Sequence, residues 1–226
     1  MLTRVFVTGT DTAVGKTVVS RALLQALSQN GRTAVGYKPV ATESKDTPDG
    51  LRNQDALILQ ASSSIEVDYQ EVNPYPLVGD VIHACSDTLI NYNKMTEGLQ
   101  LLSTKADTVV VEGCGGWKVM MNDQRFYSDW VIQEQLPVIL VVGIKLGCIN
   151  HALLTASQWC MIGAGHTSSG TTSDPKFPFF RFCVALGKYR SEQCSQQHHG
   201  TFTANGTAAG YHQQRSQRFD QAGRNV

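Results

Sequence analysis

The chain has 226 residues, 19 of them basic and 19 acidic, so its formal net charge is zero. This balance provides no basic field for a nucleic-acid backbone and no polybasic patch for a membrane surface, and it favours a small-molecule ligand. The length is sufficient for one large α/β domain or two small ones.

No segment of the sequence indicates export or membrane insertion. The start MLTRVFVTGTD lacks an apolar core of signal-peptide length, and no run of about 18 apolar residues occurs anywhere. Six cysteines are scattered without a CxxC pair, which argues against a zinc site or a disulfide framework and favours free thiols. We therefore expect a cytoplasmic protein.

Short β-branched runs alternate with stretches of helical period as far as Ala156. The predicted strands are RVFVT, TAVGYKPV, TVVVEG and PVILVVG. The predicted helices are GKTVVSRALLQALSQNG, which Gly31 closes, LRNQDALILQAS, and SDWVIQEQ, which ends before Pro137. This alternation predicts an α/β fold with a mostly parallel sheet and helices on both faces. VVVEG and VILVVG are apolar without alternation, as expected of strands inside such a sheet.

A loop of small residues, Gly9 to Thr17, joins the first strand to the first helix. It matches the phosphate-binding loop of nucleotide hydrolases and ligases, although Thr10 stands where the first glycine usually does. Lys16 would neutralise the β and γ phosphates, and the Thr17 hydroxyl would bind Mg²⁺. A tight strand-to-helix turn with a solvated lysine is the alternative for this stretch alone. The predicted nucleotide-binding residues are Thr12, Ala13, Val14, Gly15, Lys16 and Thr17.

Glu112 ends the strand TVVVEG, so its carboxylate is expected at the carboxyl edge of the sheet, where open α/β folds bind ligands. Mg²⁺ usually takes one or two carboxylates together with water and phosphate oxygens, which makes Glu112 a candidate metal ligand. Asp55 lies on the polar side of a helical stretch and, by itself, is typical of a solvated acid. The loop GCGGW is either a plain turn or an anion-binding loop, and the adjacent Glu112 favours the second.

Several longer segments resemble the dethiobiotin synthetase family, ATP-dependent carboxylases that close the ureido ring in biotin biosynthesis. The similar segments are FVTGTDTAVGKTV, GYKPVA, TPDGLRNQDAL, VNPY, VVVEGCGGW and DWVIQEQLPVILVVGIKLGCINHALLTA. They cover nearly all of residues 1–156, and they resemble the enterobacterial enzyme or its second paralogue. The resemblance implies a phosphate-loop fold and a homodimer that uses ATP and Mg²⁺.

The resemblance also implies a role for each residue that matches a family motif. Lys16 and Lys38 match catalytic lysines, the first in the phosphate loop and the second in contact with the carbamate and the γ-phosphate. Thr17, Asp55 and Glu112 match the Mg²⁺ ligands. The implied substrate-contacting residues are Lys38, Thr42, Gly115, Gly147, Cys148, Ile149 and Asn150. The last four open a helix whose free N–H groups suit a carboxylate, and in the family this segment acts across a dimer interface.

The implied substrates are 7,8-diaminononanoate, CO₂ or bicarbonate, and ATP. One amine takes up CO₂ to form a carbamate, ATP phosphorylates the carbamate to a mixed anhydride of the carbamoyl phosphate type, and the second amine closes the cyclic urea. This scheme contains no covalent enzyme intermediate. Positioning and charge neutralisation by Lys16, Lys38 and Mg²⁺ would therefore carry the catalysis.

The composition changes after Ala156. Leu, Ile and Val fall from 44 in residues 1–156 to 4 in residues 157–226. So little apolar surface predicts disorder and no further strands. The family continues here with a helix, an apolar strand and an adenine-recognising asparagine, and none of these is recognisable. We expect a carboxylase and cyclo-ligase domain over 1–156 and an atypical tail over 157–226, disordered or produced by a change of reading frame near Ser157.

Two alternatives remain open. One is another phosphate-loop ATPase or amide ligase, such as a partitioning ATPase or a cobyrinate-type amide ligase. Against these, Thr10 and Asp11 stand where the first class has an extra lysine, and no glutaminase-like segment follows. The other alternative is an inactive or truncated relative with only weak, promiscuous nucleotide binding, which the tail supports.

Overall fold

The computed structural model describes residues 3–79, 82, 89–122, 125–165 and 180–186, all within one unit, Met1–Tyr189. Its strands are β1 Arg4–Gly9, β2 Ala34–Tyr37, β3 Val40–Ala41, β4 Lys45–Thr47, β5 Gly50–Arg52, β6 Tyr75–Pro76, β7 Thr108–Glu112, β8 Met120–Asn122, β9 Arg125–Phe126, β10 Val138–Gly143 and β11 Phe180–Leu186. Its helices are α1 Lys16–Gln29, α2 Gln54–Ser62, α3 Tyr69–Val72, α4 Tyr92–Lys105, α5 Tyr127–Gln133 and α6 Cys148–Gly165.

Within the described residues, five strands form one parallel sheet in the order β11-β10-β1-β7-β2. β1 lies in the middle, where Val7 is paired with Glu112 of β7 on one side and with Ile139 of β10 on the other. β7 and β10 are interior strands, as their continuous apolar sequences predict, and every residue of β7 is buried. The predicted parallel α/β fold is confirmed.

Helices cover both faces of this sheet, as two neighbouring residues of β2 demonstrate. A Cβ on Gly36 would lie 2.7 Å from Leu59 Cβ of α2 and 3.3 Å from Leu24 Cδ1 of α1. The next residue, Tyr37, donates its hydroxyl to the Met95 carbonyl of α4 at 2.9 Å. Successive strand residues point to opposite faces. α1 and α2 therefore pack on one face and α4 on the other.

Most of the predicted helices and strands end where the sequence predicts. Gly31 follows α1 with a φ of 73°, and its N–H donates to the Ser28 carbonyl, which confirms the predicted helix stop. α5 ends ahead of Pro137. The predicted strand TAVGYKPV is divided, because β2 leaves the sheet after Tyr37 and the short β3 pairs with β6 instead. None of the helices in the described part of the chain has the length and apolar character needed to cross a bilayer.

Two elements after Ala156 correct the sequence analysis. α6 continues to Gly165, and β11 joins the sheet beside β10, so the expectation that no helix and no strand follow Ala156 is wrong. A count of Leu, Ile and Val misses this strand because FRFCVAL takes part of its β propensity from two phenylalanines. The predicted disorder or altered reading frame of residues 166–179 and 187–226 lies outside the described residues.

Candidate active site

The phosphate loop leaves β1 at Gly9 and ends where α1 begins. Gly15 has a φ of 98°, a left-handed conformation that favours glycine. A Cβ on Gly9 would lie 2.6 Å from Val14 Cγ2, so this position accepts no side chain without a shift of the loop. No side chain in the described part of the chain caps the N-terminus of α1. Its first N–H groups are therefore available to a phosphate.

Asp11 organises the conformation of this loop. Its side chain accepts hydrogen bonds from the Thr12 N–H at 2.8 Å and from Lys145 Nζ at 2.7 Å. Its carbonyl oxygen accepts a hydrogen bond from Lys16 Nζ at 3.1 Å. The hydrogen bond from Lys145, followed by the one from Thr12, lowers the pKa of the Asp11 carboxyl. Asp11 thus joins the phosphate-loop lysine to the loop before α6.

Glu112 is the centre of the polar cluster at the carboxyl end of β7. It is fully buried, and its Oε1 accepts hydrogen bonds from Thr17 Oγ1 at 2.9 Å and from Lys38 Nζ at 2.7 Å. Asp55 Oδ2 lies 3.5 Å from the same Lys38 Nζ. The structure therefore brings together the three residues predicted to bind magnesium and one of the two lysines predicted to be catalytic.

The two lysines predicted to be catalytic have pKa values shifted in opposite directions. Burial, followed by the positive charge of Lys38, lowers the pKa of Lys16. Burial also opposes the charged form of Lys38, but the negative charges around it, chiefly that of Glu112, outweigh burial and raise its pKa. Lys38 is therefore protonated at neutral pH and suited to act as a cation, not as a base.

One oxygen of Glu112 indicates a further ligand. Glu112 Oε2 is buried and has no hydrogen-bond partner among the described residues. A buried acceptor without a donor is costly, and a Mg²⁺ ion bound to the carboxylate would satisfy it. The described ranges hold no group of three or more His, Cys, Asp and Glu side chains arranged around a metal position. A Mg²⁺ ion here would thus take Glu112, Asp55 and Thr17 and obtain its other ligands from water and phosphate.

A cavity of about 810 Å³ opens beside the cluster, a volume within the range of small-molecule sites. It is lined by the predicted residues Thr12, Ala13, Gly15, Lys16, Thr17, Lys38, Thr42, Asp55 and Gly115, and also by Asn53 and Cys114. Thr42 Oγ1 lies 3.4 Å from Cys114 Sγ on this wall. Val14 is instead buried in the core. Most of the predicted nucleotide and substrate residues therefore share one cavity.

The segment Gly147, Cys148, Ile149 and Asn150 does not line this cavity in its own chain. Gly147 has a φ of 86° and α6 begins at the next residue, so the predicted helix start is confirmed. Ile149 is 72% exposed, and the neighbouring Leu146 is 96% exposed. These residues are therefore exposed to different degrees outside the cavity that most of the predicted set lines.

Two supporting residues have no role in the sequence analysis. Asn53 donates to the Thr42 carbonyl at 2.8 Å and accepts from the Ala56 N–H at the start of α2. An asparagine directly before a helix is a capping signal that could have indicated it. Lys145 has no comparable signal, because its partner Asp11 lies 134 residues away.

Comparisons with known proteins identify the relatives of this chain. A family model described as an AAA domain matches residues 3–159. ATP-dependent dethiobiotin synthetase BioD 2 of Yersinia pestis is 92% identical over 156 residues, 69% of this chain and 70% of the relative. BioD 2 of Escherichia coli (strain K12) is 62% identical over 159 residues, 69% of this chain and 68% of the relative.

A third relative extends the aligned part of the chain. ATP-dependent dethiobiotin synthetase BioD 1 of Escherichia coli (strain K12) is 52% identical over 182 residues, 79% of this chain and 80% of the relative. Among solved structures, the kinase domain of Escherichia coli tyrosine kinase ETK covers 87% of this chain and 72% of its own at a TM-score of 0.42 and 12% identity, a likeness too weak to support an argument. On sequence identity and coverage, the chain belongs to the ATP-dependent dethiobiotin synthetase family.

Proposed function

We propose that this protein catalyses the ATP- and Mg²⁺-dependent carboxylation and ring closure of 7,8-diaminononanoate with CO₂ to dethiobiotin. The observation that carries the proposal is the Glu112 cluster, in which a phosphate-loop hydroxyl, two carboxylates and a buried protonated lysine meet beside one cavity. The names of the relatives agree with this activity.

In this proposal the chain's own residues bind phosphate and compensate charge. Lys16 and the free N–H groups at the start of α1 bind the phosphates of ATP. Lys38 neutralises negative charge on the carbamate and on the γ-phosphoryl group as it is transferred. Thr17, Asp55 and Glu112 hold Mg²⁺, which supplies further positive charge against the phosphate oxygens when bound.

The proposed reaction requires no nucleophile from the protein. One amine of the diamine adds to CO₂ and loses a proton, which gives the carbamate. A carbamate oxygen attacks the γ-phosphorus of ATP and displaces ADP. The second amine then attacks the carbonyl carbon of the mixed anhydride and loses a proton, and the ring closes as phosphate leaves. Catalysis consists of holding the reacting groups in contact with one another beside Lys38 in the cavity, and of compensating for their charge.

The proposed active form is a homodimer. Gly147, Cys148, Ile149 and Asn150 lie outside their own chain's cavity, and the apolar side chains around them are exposed. A second copy that covers this surface would bury apolar area. The N-terminus of α6 in one chain would then bind the carboxylate of the substrate in the cavity of the other chain. A cytoplasmic location stays a prediction.

The test is turnover of 7,8-diaminononanoate with bicarbonate, ATP and Mg²⁺ by the purified full-length chain, following cyclic urea and phosphate together. Equal amounts of the two products support the proposal. Phosphate without urea would overturn it in favour of another phosphate-loop ATPase. Folded protein, judged by circular dichroism, that forms neither product would overturn it in favour of an inactive relative with weak nucleotide binding.

A further inference from the structure

Lys38 lies just beyond the sheet, and its backbone depends on another segment for its hydrogen bonds. The ladder between β2 and β7 ends at the pair Tyr37 and Val111. The Lys38 N–H instead donates to the Val72 carbonyl at 2.8 Å, and the Lys38 carbonyl accepts from Asn73 Nδ2 at 2.7 Å. Asn73 belongs to the segment VNPY, which resembles the family but has no role in the sequence analysis.

A chain of hydrogen bonds continues from Asn73 to two other parts of the site. Asn73 Oδ1 accepts from the Tyr69 hydroxyl at 2.9 Å, and the Tyr69 oxygen accepts from the Asn53 N–H at 2.7 Å. Asn53 Nδ2 donates to the Thr42 carbonyl, and Asn53 Oδ1 caps α2, whose first turn carries Asp55. The side chains of Asn73, Tyr69 and Asn53, the positioning network, therefore connect the backbone segments that carry three predicted site residues.

The positioning network is buried, and its members satisfy one another. All three residues are at most 8% exposed, and each oxygen and nitrogen atom of their side chains has a hydrogen-bond partner. The Arg52 guanidinium lies 4.3 Å from the centroid of the Tyr69 ring. A fully satisfied buried network holds one geometry, because any shift leaves a polar group unpaired in a medium of low dielectric constant.

We propose that the positioning network sets the spacing between Lys38, Thr42 and Asp55. It thereby aligns the Lys38 ammonium, the part of the cavity wall that carries Thr42, and the proposed Mg²⁺ ligand Asp55 for reaction. Tyr69 and Asn73 are not among the described residues that line the cavity, so they are positioning residues that act through Lys38 and Asn53. Small displacements of reacting groups are costly in rate, since misplacement by about 1 Å can cost about 100-fold. The inference rests on the proposed function.

The experiment compares Tyr69→Phe with the matched control Tyr75→Phe. Each tyrosine is 8% exposed, and each hydroxyl accepts a hydrogen bond from a backbone N–H, that of Asn53 for Tyr69 and that of Asn91 for Tyr75. The two substitutions thus remove the same atom from similar surroundings. Only Tyr69 also donates to Asn73 and belongs to the positioning network.

We expect Tyr69→Phe to lower kcat of cyclic-urea formation by about tenfold or more and to raise KM for ATP several-fold, because Lys38 and the proposed Mg²⁺ ligand Asp55 shift together. Tyr75→Phe should keep kcat within about twofold. Denaturant titrations should show that both variants are folded, with the larger loss of stability in Tyr69→Phe because it leaves two polar groups without their partner. A Tyr69→Phe kcat equal to that of the wild type, or equal decreases in both variants, would overturn the inference.

A second readout separates this inference from the proposed function. If the wild-type chain forms no cyclic urea, the proposed function fails. The binding of ADP in the presence of Mg²⁺, measured by calorimetry, then tests the positioning network alone. Because Asp55 lies in the turn that Asn53 caps, Tyr69→Phe should weaken this binding several-fold and Tyr75→Phe should not. Equal affinities for wild type and Tyr69→Phe would overturn the network's role whether or not the wild type is active.

Discussion

Glu112 is the main counter-ion of the buried Lys38, and a substitution of Glu112 measures how much stability depends on this ion pair. Lys38 and Glu112 are both almost inaccessible to water, and removal of one partner of a buried pair leaves an uncompensated charge. We expect Glu112→Gln to lower the free energy of unfolding by about 3 kcal/mol in a urea titration. We also expect it to reduce turnover by more than about 100-fold, because a Mg²⁺ ligand and the partner of Lys38 are lost together.

The matched control at this cluster is Asp55→Asn. Its side chain is 43% exposed and lies 3.5 Å from Lys38 Nζ, so solvent screens the attraction. The loss of stability should stay below about 1 kcal/mol. Similar losses for the two variants would contradict the assignment of Glu112 as the main counter-ion.

Lys16 predicts a pH dependence of nucleotide binding. Its pKa is lowered in the free protein, first by burial and then by Lys38, whereas bound phosphate favours the charged form. As pH rises through the lowered pKa, the free protein loses the proton that the complex keeps. As the pH rises, the affinity for ADP should therefore begin to fall at a lower pH than it would if Lys16 had the pKa of an ordinary lysine. Binding in that range should also take up a proton.

Titration calorimetry in buffers of different ionisation enthalpy measures this proton uptake. Lys16→Arg is the control, because a guanidinium stays charged throughout and cannot take up a proton. Uptake that persists unchanged in Lys16→Arg would assign the titration to another group.

At the scale of elements, the two ends of α1 offer a matched pair of glycines. Gly15 precedes the helix with a φ of 98°, and Gly31 follows it with a φ of 73°. Alanine at either position adopts this conformation with strain, and each substitution should cost about 1 kcal/mol in thermal unfolding. Only Gly15→Ala should also weaken ADP binding, by about tenfold or more, because only that end carries the phosphate loop. Equal ADP affinities in the two variants would contradict this role.

Local sequence predicts those elements whose own residues decide their structure. The runs VVVEG and VILVVG predict buried interior strands because no polar residue alternates with the apolar ones. The proximity of Glu112 to Thr17 follows from topology, since adjacent parallel strands end at one edge of the sheet. The ion pair of Glu112 with Lys38 follows in the same way, because Lys38 directly follows β2, the parallel neighbour of β7. The hydrogen bond of Asn73 with the Lys38 carbonyl does not follow, because it depends on how the chain bends after β2.

At the scale of the whole molecule, the surface around the start of α6 tests the proposed homodimer. Leu146 is almost fully exposed and Leu153 is 66% exposed, so a second copy would cover a sizeable apolar area. We expect the wild type to have the mass of a dimer by light scattering and the double variant Leu146→Asp, Leu153→Asp to be a monomer. Leu101→Asp on α4, a residue 45% exposed, is the control and should stay dimeric. A monomeric wild type or a dimeric double variant would exclude this interface.

The atypical tail, residues 157–226, also concerns the molecule as a whole. The Yersinia pestis relative is 92% identical over 156 residues, which make up 69% of this chain, and the composition of the sequence changes after Ala156. We propose that the reading frame changes near Ser157, and we expect resequencing of the gene to reveal a shifted frame there. An intact frame that encodes residues 157–226 as printed would refute this.

The central place of β1 determines when the protein can fold. β1 pairs with β7 and β10, so its two neighbours are complete only after Glu112 and Gly143 have been synthesised. At synthesis rates of about 5–20 residues per second, β1 waits on the order of ten seconds with both edges unpaired. Pairing over such sequence separations is slow and leaves apolar edges open to aggregation. The nascent chain therefore needs protection until β10 has been made.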